Sequence, residues 1–110
     1  MKKKTIFKGA ATALVTPMCD DRIEYTALGR LIDMQIEGGI DALVIGGTTG
    51  EAATLSDSER YEMYSFAKAY IAGRTKLIFG TGTNDTRVAK KHTRFAEKIG
   101  CDGALLVTPY

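Results

Sequence analysis

Four short apolar runs recur along the chain and predict the strands of a β-sheet. They span residues 10–15, 42–45, 77–79 and 104–107. Each run is almost continuously apolar rather than alternating, which is typical of parallel strands covered on both faces. Successive runs begin roughly 30 residues apart, the length of one strand–helix–strand repeat. We expect four residues to occupy equivalent positions on neighbouring strands: Val15, Val44, Ile78 and Val107.

Three segments with helical periodicity separate these runs. The first ends at the Gly38-Gly39 pair, a common helix stop. The second opens with Ser56 and Glu59 at the spacing of a capping box, and the third follows Asp85. The chain therefore alternates four strands with three helices. This order is found in doubly wound sheets and in (β/α)8 barrels.

The composition supports a single globular unit. The 110 residues are 45% hydrophobic and 25% charged, which excludes disorder, a collagen helix and a disulfide scaffold. No apolar run approaches the ~20 residues that a membrane-spanning helix needs. The net charge of +2 is small and evenly spread, so it does not favour nucleic-acid binding.

Two local features suggest where the protein resides. Lys2–Lys4 lacks the apolar stretch of a signal peptide and is interpreted as a solvated tail. Cys19 and Cys101 lie far apart, without metal-ligand spacing. We expect both to be reduced thiols in a cytoplasmic protein.

The candidate chemistry lies where the predicted strands end. In either α/β architecture a ligand binds beyond the carboxyl ends of the strands. Each of the four ends carries threonine, and the two central ends add glycines. Glycine permits close backbone approach, while hydroxyls and amides donate to carboxylate or phosphate oxygens. The pattern predicts a site for a small oxygen-rich anion, formed by these residues: Thr16, Thr48, Thr49, Thr81, Thr83 and Thr108.

Several familiar sites are excluded by their missing residues. Glu51 follows Gly50 where a P-loop needs lysine, and neither a dinucleotide fingerprint nor a serine nucleophile elbow is present. No metal site is expected, because His92 lies in an apolar helical stripe and is interpreted as a packed histidine. Glu51 is interpreted as an acceptor for backbone amides, and Asn84 and Asp85 as a helix cap.

The string Gly46–Glu51, together with Val15–Pro17 before it and Val107–Tyr110 after it, resembles the dihydrodipicolinate synthase/N-acetylneuraminate lyase family. The resemblance runs from Gly9 to Tyr110. Members of this family are class I, Schiff-base aldolases built on a (β/α)8 barrel. The Thr48-Thr49 pair is similar to the synthase branch, whereas sialic-acid lyases more often carry Ser-Thr.

The resemblance implies that residues 1–110 are the N-terminal half of a single (β/α)8 barrel domain, since such a barrel takes roughly 250 residues. The imine-forming lysine and a second proton-transferring tyrosine would lie in a C-terminal remainder outside this chain. We therefore expect the chain by itself to be inactive. Because the family works through a covalent imine, no cofactor is expected.

The resemblance also assigns roles to individual residues. Thr49 matches the position that holds the pyruvate carboxylate, with Thr48 beside it. Thr48 also matches the middle member of a proton relay between two tyrosines. The positions that match the family's allosteric cleft are Ala53, Asn84, Val88 and Tyr110.

One departure from the family bears on regulation. Lysine-inhibited members hold the amino acid with a carboxylate, for which this chain has Val88. Asp57 and Arg60 stand where those members carry histidines. We expect weak or no inhibition by lysine.

The implied activity is condensation of pyruvate with aspartate semialdehyde in lysine and diaminopimelate biosynthesis, by a homotetramer built as a dimer of dimers. Two alternatives remain open. The first is a related aldolase or lyase acting on a sugar acid such as N-acetylneuraminate. The second is a non-catalytic half barrel that serves binding or assembly.

Overall fold

A four-stranded parallel sheet forms the centre of the molecule. A computed structural model describes residues 5–107 of the chain. In spatial order the strands are β1 (Ala11–Ala13), β4 (Ala42–Ile45), β5 (Lys76–Gly80) and β6 (Gly103–Leu105). Every adjacent pair is parallel, as the unbroken apolar runs predict.

Three helices connect these strands: α1 (Tyr25–Glu37), α2 (Asp57–Ile71) and α3 (Thr86–Ile99). A 3₁₀ turn at Ala52–Thr54 precedes α2. The predicted capping box is confirmed: the Ser56 hydroxyl accepts from the Glu59 amide at 3.2 Å, and the Glu59 carboxylate accepts from the Ser56 amide at 2.9 Å. Asp85 caps α3 by accepting from the Arg87 amide.

The main core lies between one face of the sheet and the helices. The central strands contribute alternate residues to it, which are Leu43, Ile45, Leu77 and Phe79. Phe79 is fully buried and stacks on Tyr64 of α2 with 4.2 Å between ring centroids. Burial of a side chain of this size contributes roughly 1.5–3 kcal/mol. This contact fixes α2 against the carboxyl half of β5.

The opposite face of the sheet is largely apolar but incompletely covered. The register places these residues on it: Ala11, Ala13, Ala42, Val44, Lys76, Ile78, Gly80, Gly103 and Leu105. Lys76, at the amino end of β5, is the one charged residue among them. Phe7 packs against the three central members. At the edges Ala11, Ala13 and Leu105 are exposed, as is Val15 just beyond β1. The expectation of two covered faces is therefore confirmed for the central strands, whereas β1 and β6, each with one neighbouring strand in the described sheet, are exposed at its edges.

The register corrects two of the four predicted equivalences. Val44 lies opposite Ile78, as expected, but Ala13 rather than Val15 pairs with Val44. Gly103 rather than Val107 pairs with Ile78. Both errors arise because the apolar runs continue beyond the paired residues.

A small hairpin between β1 and α1 was not predicted. β2 (Met18–Cys19) pairs antiparallel with β3 (Arg22–Ile23). Asp20 and Asp21 form the turn with φ angles of 51° and 62°, the left-handed pair that two-residue hairpin turns require. Strands of two residues are too short to show a hydrophobic pattern.

Neither thiol forms a disulfide within the described residues: Cys19 is exposed in the hairpin, and Cys101 is half-buried before β6. None of the helices described between residues 5 and 107 has the length and apolar character needed to cross a membrane.

Candidate active site

The carboxyl ends of β4 and β5 open onto a cavity of about 330 Å³, called the rim cleft below. The loop after β4 supplies one wall, and the loop after β5 with the start of α3 supplies the other. The residues used in the argument below are Thr48, Ala53, Asp57, Arg60, Asn84 and Val88, all of which line this cleft. Its position is the one expected for a ligand site in an α/β fold.

The loop after β4 is a tight turn that presents Thr48 and Thr49. The Gly50 amide donates to the Gly47 carbonyl at 3.1 Å, and the Glu51 amide donates to the Thr48 carbonyl at 2.9 Å. A Cβ at Gly50 would lie 2.8 Å from Thr16 Oγ1, so only glycine fits there. Both threonine side chains are exposed at the tip of this turn.

Glu51 closes the turn in a left-handed conformation, with φ 57° and ψ 36°. Such a conformation is uncommon for a residue other than glycine and costs about 1–3 kcal/mol. Its backbone carbonyl accepts from the amide and hydroxyl of Thr54 at 2.9 and 2.7 Å. Glu51 thus accepts a hydrogen bond from a backbone amide, as expected, and does so through its carbonyl oxygen.

The end of β5 touches the loop after β4 through the backbone. A Cβ at Gly80 would collide with the carbonyl group of Gly46 and with Cα of Gly47. Glycine at position 80 therefore permits an approach that no other residue allows. The two walls of the rim cleft are fixed relative to each other at this contact.

Arg60 joins the same walls from beneath the rim cleft. Only 4% of this residue is exposed. Its Nη2 donates to the Ala52 carbonyl at 2.8 Å, and its Nη1 donates to the Gly80 carbonyl at 3.3 Å and to Tyr64 Oη at 3.2 Å. Its buried Nε has no partner among the described residues. The guanidinium thus links the 3₁₀ turn, α2 and the end of β5.

Tyr64 completes this connection. Its hydroxyl donates to the Gly80 carbonyl at 2.6 Å. Burial raises the pKa of the Tyr64 hydroxyl above its ordinary value, although the neighbouring Arg60 opposes this shift. Tyr64 therefore stays protonated at neutral pH and acts as a hydrogen-bond donor.

A second cluster joins the first turn of α2 to α3. Asp57 Oδ2 accepts from Lys91 Nζ at 2.7 Å, and Asp57 Oδ1 lies 3.8 Å from His92 Nε2. Tyr61 Oη lies 2.9 Å from His92 Nδ1. The hydrogen bond from Lys91 lowers the pKa of Asp57. Burial lowers the pKa of His92, which therefore remains neutral at pH 7.

Comparison with known proteins identifies relatives of this chain. The model of the dihydrodipicolinate synthetase family matches residues 6–110. The chain belongs to this family. It is 48% identical over 105 residues to the 4-hydroxy-tetrahydrodipicolinate synthase of Magnetococcus marinus, covering 96% of the chain and 36% of that enzyme. It is 45% identical over 106 residues to the Clostridium tetani enzyme of the same name, again covering 96% of the chain and 36% of the enzyme.

Solved structures of the dihydrodipicolinate synthetase family show the same architecture. The dihydrodipicolinate synthase of Aquifex aeolicus superposes with a TM-score of 0.91 at 44% identity, covering 94% of this chain and 36% of that one. The Thermotoga maritima enzyme gives a TM-score of 0.92 at 39% identity, with 96% and 36% coverage. The strands and helices are an N-terminal part of a (β/α)8 barrel, as predicted. The chain spans about a third of the length of these relatives.

The structure brings together four of the residues that the family resemblance singled out. Thr48, Ala53, Asn84 and Val88 all line the rim cleft. Thr49 follows Thr48 at the exposed tip of the loop but is outside the cleft lining. Tyr110 lies outside the described residues.

The predicted ring of rim threonines is only partly correct. Thr48 and Thr83 line the rim cleft. Thr16 and Thr81 are buried instead, and Thr81 Oγ1 accepts a hydrogen bond from Thr93 of α3 at 2.8 Å. Thr108 lies outside the described residues. Thr16 Oγ1 lies 3.9 Å from Met63 Sδ of α2, so both buried threonines point toward the helices rather than into the cleft.

Two interpretations of single residues can be compared with the structure. His92 is 1% exposed and packs edge-on against Tyr61, which confirms the packed histidine. The buried role of Arg60 was missed, although a signal was present: its spacing to Met63, Tyr64 and Ala67 continues the buried side of α2. Within residues 5–107, no three side chains of the His, Cys, Asp and Glu types gather in a metal-binding arrangement.

Proposed function

We propose that this chain supplies the pyruvate-binding part of a Schiff-base aldolase that condenses pyruvate with aspartate semialdehyde, forming 4-hydroxy-tetrahydrodipicolinate. The observation that carries the proposal is the Thr48-Thr49 pair at the rim, in a chain whose relatives are named 4-hydroxy-tetrahydrodipicolinate synthase. The reaction would belong to lysine and diaminopimelate biosynthesis in the cytoplasm. The active assembly would be a homotetramer arranged as a dimer of dimers.

The exposed rim loop is suited to hold a carboxylate. The tight turn fixes the backbone, while the Thr48 and Thr49 side chains remain accessible. In the proposed mechanism Thr49 and Thr48 donate hydrogen bonds to the pyruvate carboxylate, and the Thr48 hydroxyl also passes protons between two tyrosines. A hydrogen bond to a charged group contributes about 1.5–3 kcal/mol. This binding orients pyruvate for attack on the aldehyde.

The imine requires a lysine with a neutral amine, and the rim cleft as the structure describes it has none in its lining. Lys68, Lys90, Lys91 and Lys98 lie on exposed parts of α2 and α3. Lys76 is exposed at the amino end of β5. We place the imine lysine in the two thirds of the relatives' length that this chain does not span. The covalent imine would make a separate cofactor unnecessary.

A chimera tests the proposal. The 110-residue chain is joined to the remainder of the Aquifex aeolicus enzyme, and the chimera is treated with pyruvate and borohydride. We expect one reduced pyruvate adduct by mass spectrometry and turnover with aspartate semialdehyde. Thr48→Val and Thr49→Val should each lower kcat/KM by about ten- to a hundredfold, the equivalent of the lost hydrogen bond.

Thr26→Val is the matched control, since Thr26 is an exposed threonine on α1, far along the chain from the rim loop. It should leave kcat/KM unchanged. A chimera that folds by circular dichroism but forms no adduct would contradict the aldolase proposal. Turnover of N-acetylneuraminate in preference to aspartate semialdehyde would favour the sugar-acid branch. An adduct on the 110-residue chain alone would show that the imine lysine has been misplaced.

Regulation by lysine is proposed to be weak or absent. Val88 lines the rim cleft and offers no charge to an ammonium group. Arg60, buried below the same cleft, carries a positive charge that repels the ammonium groups of a lysine ligand. Lysine added to the chimera's turnover assay should therefore leave its rate unchanged at micromolar concentrations.

A further inference from the structure

The rim loop, residues 46–52, is held at both of its ends. At its start the backbone of Gly46 packs directly against Gly80, the last residue of β5. At its end Ala52 begins the 3₁₀ turn. Between these ends Glu51 adopts a left-handed conformation, which persists only where the surrounding structure determines it. The placement of the two rim threonines therefore depends on what holds the ends of the loop.

Arg60 of α2 contacts both ends of the rim loop. Its Nη2 donates to the Ala52 carbonyl at 2.8 Å, and its Nη1 donates to the Gly80 carbonyl at 3.3 Å. The second acceptor belongs to the residue against which the start of the loop packs. Because the guanidinium is planar and its donors have a fixed geometry, these two hydrogen bonds set the separation of the two carbonyls. An apolar side chain of the same size cannot do so.

No ion pair accounts for the burial of Arg60. This residue is 4% exposed, yet none of the ion pairs among residues 5–107 includes it. Burying a charged group costs free energy, and well-packed apolar residues often stabilise a protein as well as a buried charge does. Met63 and Ala67, its buried neighbours on α2, are apolar. What arginine adds at this position is the fixed geometry of the two carbonyls.

We infer that Arg60 is a positioning residue for pyruvate binding, which holds the rim loop so that Thr48 and Thr49 donate to one carboxylate. This inference rests on the proposed function of those two threonines. Arg60 acts through the loop and does not itself contact pyruvate. A displacement of about 1 Å at a reacting centre can cost a hundredfold in rate. A rim loop held at one end only should therefore bind pyruvate more weakly.

Arg60→Met in the chimera with the Aquifex aeolicus enzyme tests this role, because methionine occupies the space of the arginine stem and donates no hydrogen bond. The amount of borohydride-trapped adduct is measured against pyruvate concentration. We expect the half-saturating pyruvate concentration to rise about tenfold, while KM for aspartate semialdehyde stays unchanged. A folded variant with the same pyruvate dependence as the parent chimera would overturn the inference.

Arg74→Met is the matched control. Arg74 also donates to backbone carbonyls, at 2.9 Å to that of Tyr70 and at 3.1 Å to that of Ile71. It precedes the amino end of β5, whereas Gly80 is at the carboxyl end. This variant should be less stable in urea but keep the pyruvate dependence of the parent. An equal rise in the half-saturating pyruvate concentration for both arginine variants would contradict a specific role of Arg60.

A double variant shows whether Arg60 acts through the threonines. If Arg60 works by placing the Thr49 hydroxyl, its loss matters less once that hydroxyl is gone. The rise produced by Arg60→Met and Thr49→Val together should therefore fall short of the product of the two separate rises. A full product would show that the two residues act independently, and the inference would be wrong.

Amide hydrogen exchange follows the rim loop without any catalysis. The amides of Gly50 and Glu51 donate to carbonyls within this loop. Both should exchange faster in the Arg60→Met chimera than in the parent, and no faster than in the parent when Arg74 is changed instead. Unchanged exchange at both amides in the Arg60 variant would overturn the inference.

Arg60→Lys covers the case in which the methionine variant does not fold. Lysine retains the charge, but its ammonium cannot reproduce the two directed hydrogen bonds of the guanidinium. Its half-saturating pyruvate concentration should exceed that of the parent, and a parental value at lowered stability would overturn the inference. Absence of any adduct in the parent chimera would contradict the proposed function and, with it, this role. An adduct in the parent together with a parental value in the Arg60 variants would contradict the role of Arg60 alone.

Discussion

The guanidinium of Arg60 joins parts of the chain that no strand pairing connects. It reaches the Ala52 carbonyl in the 3₁₀ turn and the Gly80 carbonyl at the end of β5. Tyr64 shares the second acceptor. The loss of Arg60 would therefore leave Ala52 without this partner, while Gly80 would retain one.

We predict that Arg60→Met destabilises the chain by about 1–3 kcal/mol, the cost of leaving a buried carbonyl without a partner. Urea unfolding at a fixed chain concentration measures the change. Arg60→Lys should lose most of the same free energy, because a single ammonium cannot span both carbonyls. If the lysine variant kept full stability, the charge rather than the fork-shaped hydrogen bonding would be the source of the effect.

His92 gives the molecule a pH-dependent stability. Burial holds its folded-state pKa below the ordinary value of 6.5, so the unfolded chain binds the proton more readily. The free energy of unfolding should therefore be undiminished above pH 6.5 and should fall as the pH drops from there toward the folded-state pKa. Stability curves at several pH values between 8 and 5 measure this change.

His92→Gln is the corresponding variant, since glutamine can still accept from Tyr61 but does not titrate. Its stability should depend less on pH in the same interval. The carboxylate of Asp57 faces His92 and is itself paired with Lys91, so its titration contributes at lower pH in both proteins. An unchanged slope in the glutamine variant would assign the pH dependence to other groups.

Which residues line the rim cleft could be predicted only in part. The glycines and threonines after β4 were recognisable because their types suit a tight turn and an anion. Thr16 and Thr81 have the same residue type and a similar place after a strand, yet both are buried. Their orientation depends on register and loop geometry, which a residue pattern does not contain.

At the scale of single elements, the start of α2 is the part most strongly determined by local sequence. The Ser56 and Glu59 side chains and amides satisfy each other across one turn. Such a box needs no tertiary contact, which is why the sequence alone predicts it. The edge strands β1 and β6 are not determined locally in this way, because their burial depends on a strand that pairs with the edge of the sheet.

We predict that Ser56→Ala lowers the free energy of unfolding by about 1 kcal/mol, the usual contribution of an N-cap hydroxyl. Thermal or urea unfolding of the two proteins at equal concentration provides the measurement. Ser58→Ala is the control on the same helix, since Ser58 is exposed inside the first turn and alanine is a better helix former there. Equal losses in both variants would show that the cap contributes nothing specific.

At the scale of the whole molecule, the order of strands and helices was predictable and the shape of the surface was not. The spacing of apolar runs identified the central strands β4 and β5, because both faces of those strands are buried. The same reasoning assigned equal burial to β1 and β6, whose residues are largely exposed. The burial of β1 and β6 therefore depends on further strands that would pair with the two edges of the sheet.

The backbone contact between Gly46 and Gly80 also limits how this barrel can be recombined. In a chimera of two relatives, the sequences are joined at a chosen point along the chain. A junction between β4 and β5 takes the two sides of this contact from different parents. A new parent that carries a side chain at the position of Gly80 would collide with the carbonyl of Gly46. A chimera that takes both the loop after β4 and the end of β5 from one parent avoids this clash. These two segments should therefore be exchanged together, although helix α2 separates them in the sequence.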